Sequence, residues 1–178
     1  MPISLQHAGL SPPGCLASPV PAHGKVTNEM PHEFRFPVHV DWNGGRSTTA
    51  RVEGKQPVRI ATPPEFRGTN PDLWSPEDAF VAAAASCLAV TIAALAEQKE
   101  LPLRGLEVRA DGVVGRRADG RFGFIRIEQT VDLDTDPGQE DAARELVRRA
   151  EEGCLVSVSL DLPVETTLNV SAALTPSR

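Results

Sequence analysis

The sequence is short of aromatic side chains, since its 178 residues include no tyrosine and only two tryptophans. Proteins that bind single-stranded nucleic acid stack bases on aromatic rings, so this composition argues against such a surface. The formal net charge is −6, and no block of consecutive lysines or arginines is present to attract phosphate groups. We therefore expect no nucleic-acid partner and no attraction to an anionic membrane surface.

Metal-binding and disulfide-forming residues are also scarce. The three cysteines, Cys15, Cys87 and Cys154, are too few and too widely spaced for a secreted disulfide framework or a CxxC metal site. All four histidines lie within the first 39 residues, and their spacing repeats no ligand pattern. We expect reduced thiols, no metal site and no bound cofactor.

The amino-terminal segment has neither alternation nor a helical period. It lacks the basic start and apolar stretch of a secretory signal, and four prolines between positions 12 and 21 would interrupt one. We interpret residues 1–31 as a flexible arm, 32–172 as a single domain and 173–178 as a tail. The expected location is the cytoplasm.

A run of 18 residues without a charge extends from Ala79 to Ala96. A transmembrane helix needs roughly 20 apolar residues. Half of this run is alanine, and it contains Ser86 and Thr91, so its transfer into lipid is much less favourable than that of a leucine-rich span. We interpret the run as a central helix buried on every side, covered by strands and a second helix or by a second subunit.

The start of that helix is well marked. Ser75 can cap the free amides, Pro76 suits the first turn, and Glu77 and Asp78 lie at the positive end of the helix dipole. The helix is expected to run to about residue 100 and to stop before Pro102.

The remaining patterns predict strands and a second helix. Three strands, 33–42, 46–52 and 58–61, form an antiparallel meander, and two longer strands form a hairpin that turns near Asp119 and Gly120. The second helix is predicted to be capped by Asp136, to bury a stripe of Ala142, Leu146, Val147 and Ala150, and to stop at Gly153. Residues 155–163 fit either a strand or a helical turn, and 165–170 fit a last strand. The order βββ-α-ββ-α-β predicts an α+β fold, with antiparallel sheets packed around two helices.

Two cysteines of the predicted domain occupy different settings. Cys87 lies mid-helix, where it either fills a crowded seam or acts as a reactive thiol. Cys154 directly follows the second helix, where the dipole disfavours a thiolate, and this asymmetry suits one attacking and one resolving thiol. Arg46, in a Gly-Gly-Arg turn, is a candidate cation for activating Cys87, although it also fits a solvated turn.

Three segments together resemble the OsmC/Ohr family, the osmotically inducible and organic hydroperoxide resistance proteins. They are TNPDLWSPEDAFVAAAASC, the Gly-Gly-Arg turn and EEGCLVS. The likeness covers roughly residues 33–172 and depends on their combination, with Glu77 ten residues before Cys87. The resemblance implies that Cys87 is peroxidatic, that Cys154 resolves it as a disulfide, and that Arg46 and Glu77 hold the reduced site closed.

The family also implies an intertwined homodimer with a buried alanine-rich central helix, organic hydroperoxides as substrates, and an external dithiol reductant such as a dihydrolipoyl group. Whether the chain is closer to OsmC or to Ohr stays open. Ten helical residues place Glu77 and Cys87 about 15 Å apart, so the two cannot share a site within one chain. Antiparallel packing of two such helices would bring Glu77 of one subunit towards Cys87 of the other. Otherwise, Glu77 serves only the helix start.

Two other interpretations use the same fold. A non-catalytic dimeric protein that binds an apolar ligand would leave Cys87 unreactive. A thiol redox sensor would oxidise but turn over slowly with dithiols. A thiol hydrolase is disfavoured because no histidine follows His39 to act as a base.

Overall fold

The computed structural model describes residues 33–172. The predicted arm with Cys15 and the predicted tail lie outside the described residues. The division into arm, domain and tail therefore stays a prediction.

The described chain contains six strands, three α-helices and one short 3-10 helix. In chain order these are β1 His39–Trp42, β2 Ser47–Arg51, β3 Val58–Ala61, the 3-10 helix Pro64–Phe66, α1 Pro76–Gln98, β4 Leu103–Arg116, β5 Phe122–Thr135, α2 Glu140–Gly153, α3 Leu155–Val158 and β6 Val164–Ala172. The predicted α+β class and the predicted order of the main elements are confirmed, with α3 as an addition.

The first sheet is an antiparallel meander in the order β1-β2-β3. Its first strand is shorter than predicted, because it starts at His39 and not at Glu33. His39 pairs with Arg51, the last residue of β2, so upstream residues find no backbone on β2 to pair with. The alternation of apolar residues from Phe34 to Trp42 could not show where strand pairing begins.

The second sheet has the order β4-β5-β6. β4 and β5 form the predicted long hairpin, which turns through Gly120 at a φ of +81°. β6 pairs with β5 in a parallel orientation, so the expectation of antiparallel sheets is wrong for this strand. The physical reason is the intervening connection through α2 and α3, because a crossover by helices returns the chain to the sheet in the same direction.

Helix α1 begins as predicted. The Ser75 hydroxyl accepts from the Asp78 backbone N–H, and the Asp78 carboxylate accepts from the Ser75 N–H, which completes a capping box. Only one face of the helix is buried, however, and its buried residues are Ala84, Leu88, Ile92 and Ala96. Val90 on another face is 64% exposed. The expectation of a helix buried on every side is therefore not met by the described residues of a single chain.

Helix α2 differs from its prediction in two details. It starts at Glu140, because the Asp136 carboxylate pairs with Arg104 of β4 at 2.7 Å and leaves Gln139 at the cap position. Its buried stripe contains Ala143 in place of Ala142. With Leu146, Val147 and Ala150, this stripe packs into a core with α1 and the second sheet. Residues 155–158, which fitted either structure, are helical.

Candidate active site

Cys87 lies on the border of the buried face of α1. It comes one residue before the fully buried Leu88, and its side chain is partly buried against the core. A thiol in this position can contact the interior on one side and an approaching molecule on the other. The sequence could place Cys87 mid-helix, but only the packing fixes this border position.

Cys154 is fully buried at the junction of two helices. It is the residue that ends α2 and also the residue that precedes α3, and its carbonyl accepts from the Val158 backbone N–H at 3.0 Å. The short helix α3 therefore begins immediately after Cys154. As a result, hydrogen-bond donors from residues 156 and 157 surround its sulfur.

The pKa of the Cys154 thiol lies below its ordinary value of 9.0. Burial by itself raises the pKa, but hydrogen bonds from the Ser157 hydroxyl and backbone N–H, the Cys87 thiol and the Val156 N–H outweigh it. The Ser157 Oγ donates to Cys154 Sγ at 3.2 Å. This result differs from the expectation that the end of α2 would disfavour a thiolate, because α3 supplies donors that the sequence argument did not include.

Both cysteines belong to the same region of the core, and both are free. Cys154 is part of the buried core against which Cys87 packs. The Cys87 side chain is also among the groups that lower the pKa of Cys154. Two thiols that border one core are candidates for a disulfide after oxidation.

Arg46 lies elsewhere on the chain. Its side chain is exposed, and its guanidinium Nη1 donates to the Phe66 carbonyl at 2.9 Å. Among the described residues it forms no ion pair. The hydrogen bond connects the first turn of the meander to the 3-10 helix that precedes α1.

Glu77 has a buried carboxylate oxygen with no hydrogen-bond partner among the described residues. It lines a cavity of about 410 Å³ together with Phe66, Glu65 and Asp78. Three carboxylates thus border this cavity, and no basic side chain lines it. A buried carboxylate is stable only with hydrogen bonds or a counter-charge, so this oxygen needs a further partner.

The four residues predicted from the sequence thus form two groups. Cys87 and Cys154 border the same core, whereas Arg46 and Glu77 flank the segment around Phe66. Because α1 is continuous from Pro76 to Gln98, Glu77 and Cys87 are about 15 Å apart along its axis. The described part of one chain does not bring all four together.

A groove of about 690 Å³ runs beside α1. Trp74, Val81, Ala85, Ser86 and Val108 are among its lining residues. Among the apolar side chains of this region, Trp74 lines the groove and Val90 is exposed, whereas Phe80 stacks on Phe124 at 4.6 Å between ring centroids. Phe80 is therefore a packing residue in this chain.

Two polar residues near Cys154 were not predicted. Ser157 was part of a segment of undecided structure, and no sequence signal indicated that its hydroxyl would donate to Cys154. Gln129 was one polar residue among several in β5, and only the fold shows that it points inward, with 3% exposure. Within residues 33–172 no cluster of three or more potential metal ligands occurs.

By length and composition α1 could cross a membrane, and it is the one described helix for which this holds. In the described structure one face of this helix packs on β4, α2 and α3.

Comparisons with known proteins identify related sequences and related structures. The family model described as "OsmC-like protein" matches residues 68–169. The uncharacterized protein YmaD of Bacillus subtilis (strain 168) is 30% identical over 151 residues, which cover 80% of this chain and 97% of that protein.

Solved structures share the fold at low identity. An OsmC-like protein of unknown function from Vibrio cholerae has a TM-score of 0.71 at 17% identity, covering 77% of this chain and 100% of that one. An organic hydroperoxide resistance protein from Elizabethkingia anophelis has a TM-score of 0.65 at 21% identity, covering 81% of this chain and 100% of that one. The family match spans more than half of the sequence, and the chain therefore belongs to the family of OsmC-like proteins.

Proposed function

We propose that this protein is a thiol-dependent peroxidase that reduces organic hydroperoxides to alcohols with two cysteines. The observation that carries the proposal is that the half-buried Cys87 packs against the core that contains the buried, hydrogen-bonded Cys154 thiol. The similarity to an organic hydroperoxide resistance protein supports the substrate class. We place this activity in the cytoplasm, where an external dithiol keeps the cysteines reduced.

The first step is oxidation of Cys87. Its thiolate attacks the distal oxygen of the hydroperoxide, the O–O bond breaks, and the alkoxide leaves and takes up a proton to give the alcohol. Cys87 becomes a sulfenic acid. Cys87 suits this role because it is the more accessible of the two cysteines.

The second step joins the cysteines. The Cys154 sulfur attacks the Cys87 sulfur, the S–S bond forms, the S–O bond breaks, and the departing hydroxide is protonated to water. An external dithiol, of which a dihydrolipoyl group is an example, then reduces the disulfide by exchange and is itself oxidised to a disulfide.

We further propose that Arg46 and Glu77 act from the second subunit of a homodimer. The unpartnered Glu77 oxygen and the exposed Arg46 guanidinium are both suited to contacts outside their own chain. The exposed face of α1 carries small or apolar side chains, among them Ala83, Ala93 and Val90, so a second helix can approach closely. Arg46 and Glu77 would then stabilise the Cys87 thiolate and its site.

The test of the chemistry is a single-turnover oxidation. The reduced protein receives one equivalent of cumene hydroperoxide, and intact mass with peptide mapping follows. The expected result is a loss of about two mass units mapped to a Cys87–Cys154 disulfide and reversed by a dithiol. A Cys15→Ser variant is the matched control, because it should give the same product. Unchanged thiols would instead favour a non-catalytic binding protein, and oxidation without dithiol turnover would favour a sensor.

The test of the composite site is subunit mixing. Cys87→Ser and Glu77→Ala homodimers should both lose activity, whereas mixed dimers should recover it, since each has one site with both residues intact. A mixture of Cys87→Ser with Cys154→Ser is the control and should stay inactive, because those two residues come from the same chain. If the first mixture fails to recover activity, the composite site is wrong and Glu77 serves only the start of its own helix.

A further inference from the structure

A small cavity of about 60 Å³ lies next to Ser157, the residue that donates to Cys154. It is lined by Leu88, Gln129, Glu151, Ser157, Val164 and Thr166. Leu88 is the neighbour of Cys87 on α1, and Ser157 is the residue whose hydroxyl donates to Cys154. The cavity is therefore lined by a sequence neighbour of Cys87 and by the hydrogen-bond donor to Cys154.

Gln129 is an unusual residue for this position. Gln129 is only 3% exposed. Neither its amide oxygen nor its amide nitrogen has a hydrogen-bond partner among the described residues. Burying an amide without hydrogen bonds lowers the free energy of unfolding by about 1–3 kcal/mol in mutational studies. A polar cavity of this size accommodates a water molecule, which would satisfy both atoms.

Ser157 connects this cavity to the sulfur. Its hydroxyl hydrogen points to Cys154 Sγ, which leaves the lone pairs of its oxygen free to accept from the cavity side. A water that accepts from the Gln129 amide and donates to Ser157 Oγ would strengthen the bond from Ser157 to the sulfur, because successive hydrogen bonds polarise one another.

We propose that Ser157 and Gln129 are positioning residues which, through one water molecule in this cavity, hold the Cys154 sulfur as the nucleophile of the disulfide-forming step. The inference rests on the proposed peroxidase function. It concerns the second step only, in which the Cys154 lone pair forms the S–S bond while hydroxide leaves Cys87 and takes up a proton.

The charged and titratable groups around Cys154 explain why such help is needed. Cys87 faces it from α1, and Glu151 lines the cavity from α2. From the sheet, β5 and β6 contribute Gln129, Val164 and Thr166, none of which ionises. None of these described groups places a positive charge beside Cys154, so neutral hydrogen-bond donors are what favours its thiolate.

The experiment separates the two steps by rapid mixing of the reduced full chain with one equivalent of cumene hydroperoxide. Dimedone traps the sulfenic acid, and intact mass follows the disulfide. In Ser157→Ala, sulfenic acid should form at the parental rate, while disulfide formation should slow about three- to tenfold, as expected for the loss of one hydrogen bond. The pH at which disulfide formation reaches half its maximal rate should rise, and Ser157→Thr should restore it.

Ser159→Ala is the matched control. Ser159 lies two residues further on, and its hydroxyl donates to the Leu155 carbonyl and not to sulfur. It should leave both rates unchanged. Gln129→Leu should also slow the second step, and combined with Ser157→Ala it should add nothing further, because both act through the same hydrogen bond.

The outcomes are distinguishable. Parental disulfide rates and an unmoved pH profile in Ser157→Ala would overturn the inference while the peroxidase function stands. Additive effects of the two substitutions would remove Gln129 from it. If the parent protein keeps both thiols reduced, the proposed function and this inference fail together.

Discussion

Both sheets of this protein have three strands, but the strands of the first are much shorter, and the two sheets differ in how they are covered. The β4-β5-β6 sheet packs on α1 and α2 and buries Ile127, Val131 and Leu133 completely. In the β1-β2-β3 sheet only Thr49 and Ala61 are buried, whereas Val40 and Trp42 are 56% and 73% exposed. One sheet thus has a core made by its own chain, and the other presents apolar side chains that its own described chain does not cover.

This difference indicates where a second subunit would contribute. A three-stranded sheet needs an apolar face to be covered before it is stable in water. Exposed apolar surface of this extent marks an interaction site. The same holds for α1, whose buried face belongs to the second sheet and whose exposed face carries small side chains. The comparison therefore supports the proposed homodimer, and it can be tested region by region.

The largest effect is expected in the core of the second sheet. Leu133→Ala removes a side chain with 1% exposure and leaves a cavity, so the free energy of unfolding should fall by about 2–5 kcal/mol. Chemical denaturation measures this. Val40→Ala in β1 is the control, and at protein concentrations where the chain is monomeric it should cost about 0.5 kcal/mol or less. Equal losses at both positions would contradict the distinction between the sheets.

A different quantity should change in the first sheet. Trp42→Ala should weaken subunit association by about 2 kcal/mol, because large aromatic side chains dominate the energy of interfaces. Sedimentation equilibrium would measure the dissociation constant, and the monomer's unfolding should change little. If Trp42→Ala leaves association unchanged, the first sheet is not part of the interface.

The junction of α1 with the second sheet should tolerate little added volume. A Cβ at Gly112 of β4 would overlap with the Val81 and Phe124 side chains, and Gly112→Ala should cost about 1–3 kcal/mol. Gly123→Ala is the matched control on β5, since its nearest atom would be Arg117 Cδ at 3.5 Å. Thermal unfolding of both variants would show whether the close contact is as tight as the structure has it.

The smallest effect is expected at the start of α1. Ser75→Ala removes the hydroxyl that accepts from the Asp78 N–H at 2.9 Å, and it should lower stability by about 1 kcal/mol. Ser86→Ala, in the exposed interior of the same helix, should change stability much less. A larger loss from Ser86→Ala would mean that its face of α1 is buried in the native assembly.

The sequence predicted the elements well where local chemistry decides them. The capping box at Ser75, the turn at Gly120 and the stop at Gly153 are local signals, and the structure has all three. Predictions failed where a distant partner decides. Asp136 was expected to cap α2 but pairs with Arg104, which is 32 residues away, and β1 is limited by the short length of β2.

The candidate site divides in the same way. The sequence by itself determined which thiols are available, where α1 begins, and that Glu77 and Cys87 are too far apart along one helix to meet within a chain. Only the tertiary structure decided that Cys87 packs against the core containing Cys154, that Ser157 donates to the Cys154 sulfur, and that Gln129 is buried without a partner among residues 33–172. The physical reason is that helix starts and turns depend on neighbours in the chain, whereas burial and a shifted pKa depend on groups that packing brings together.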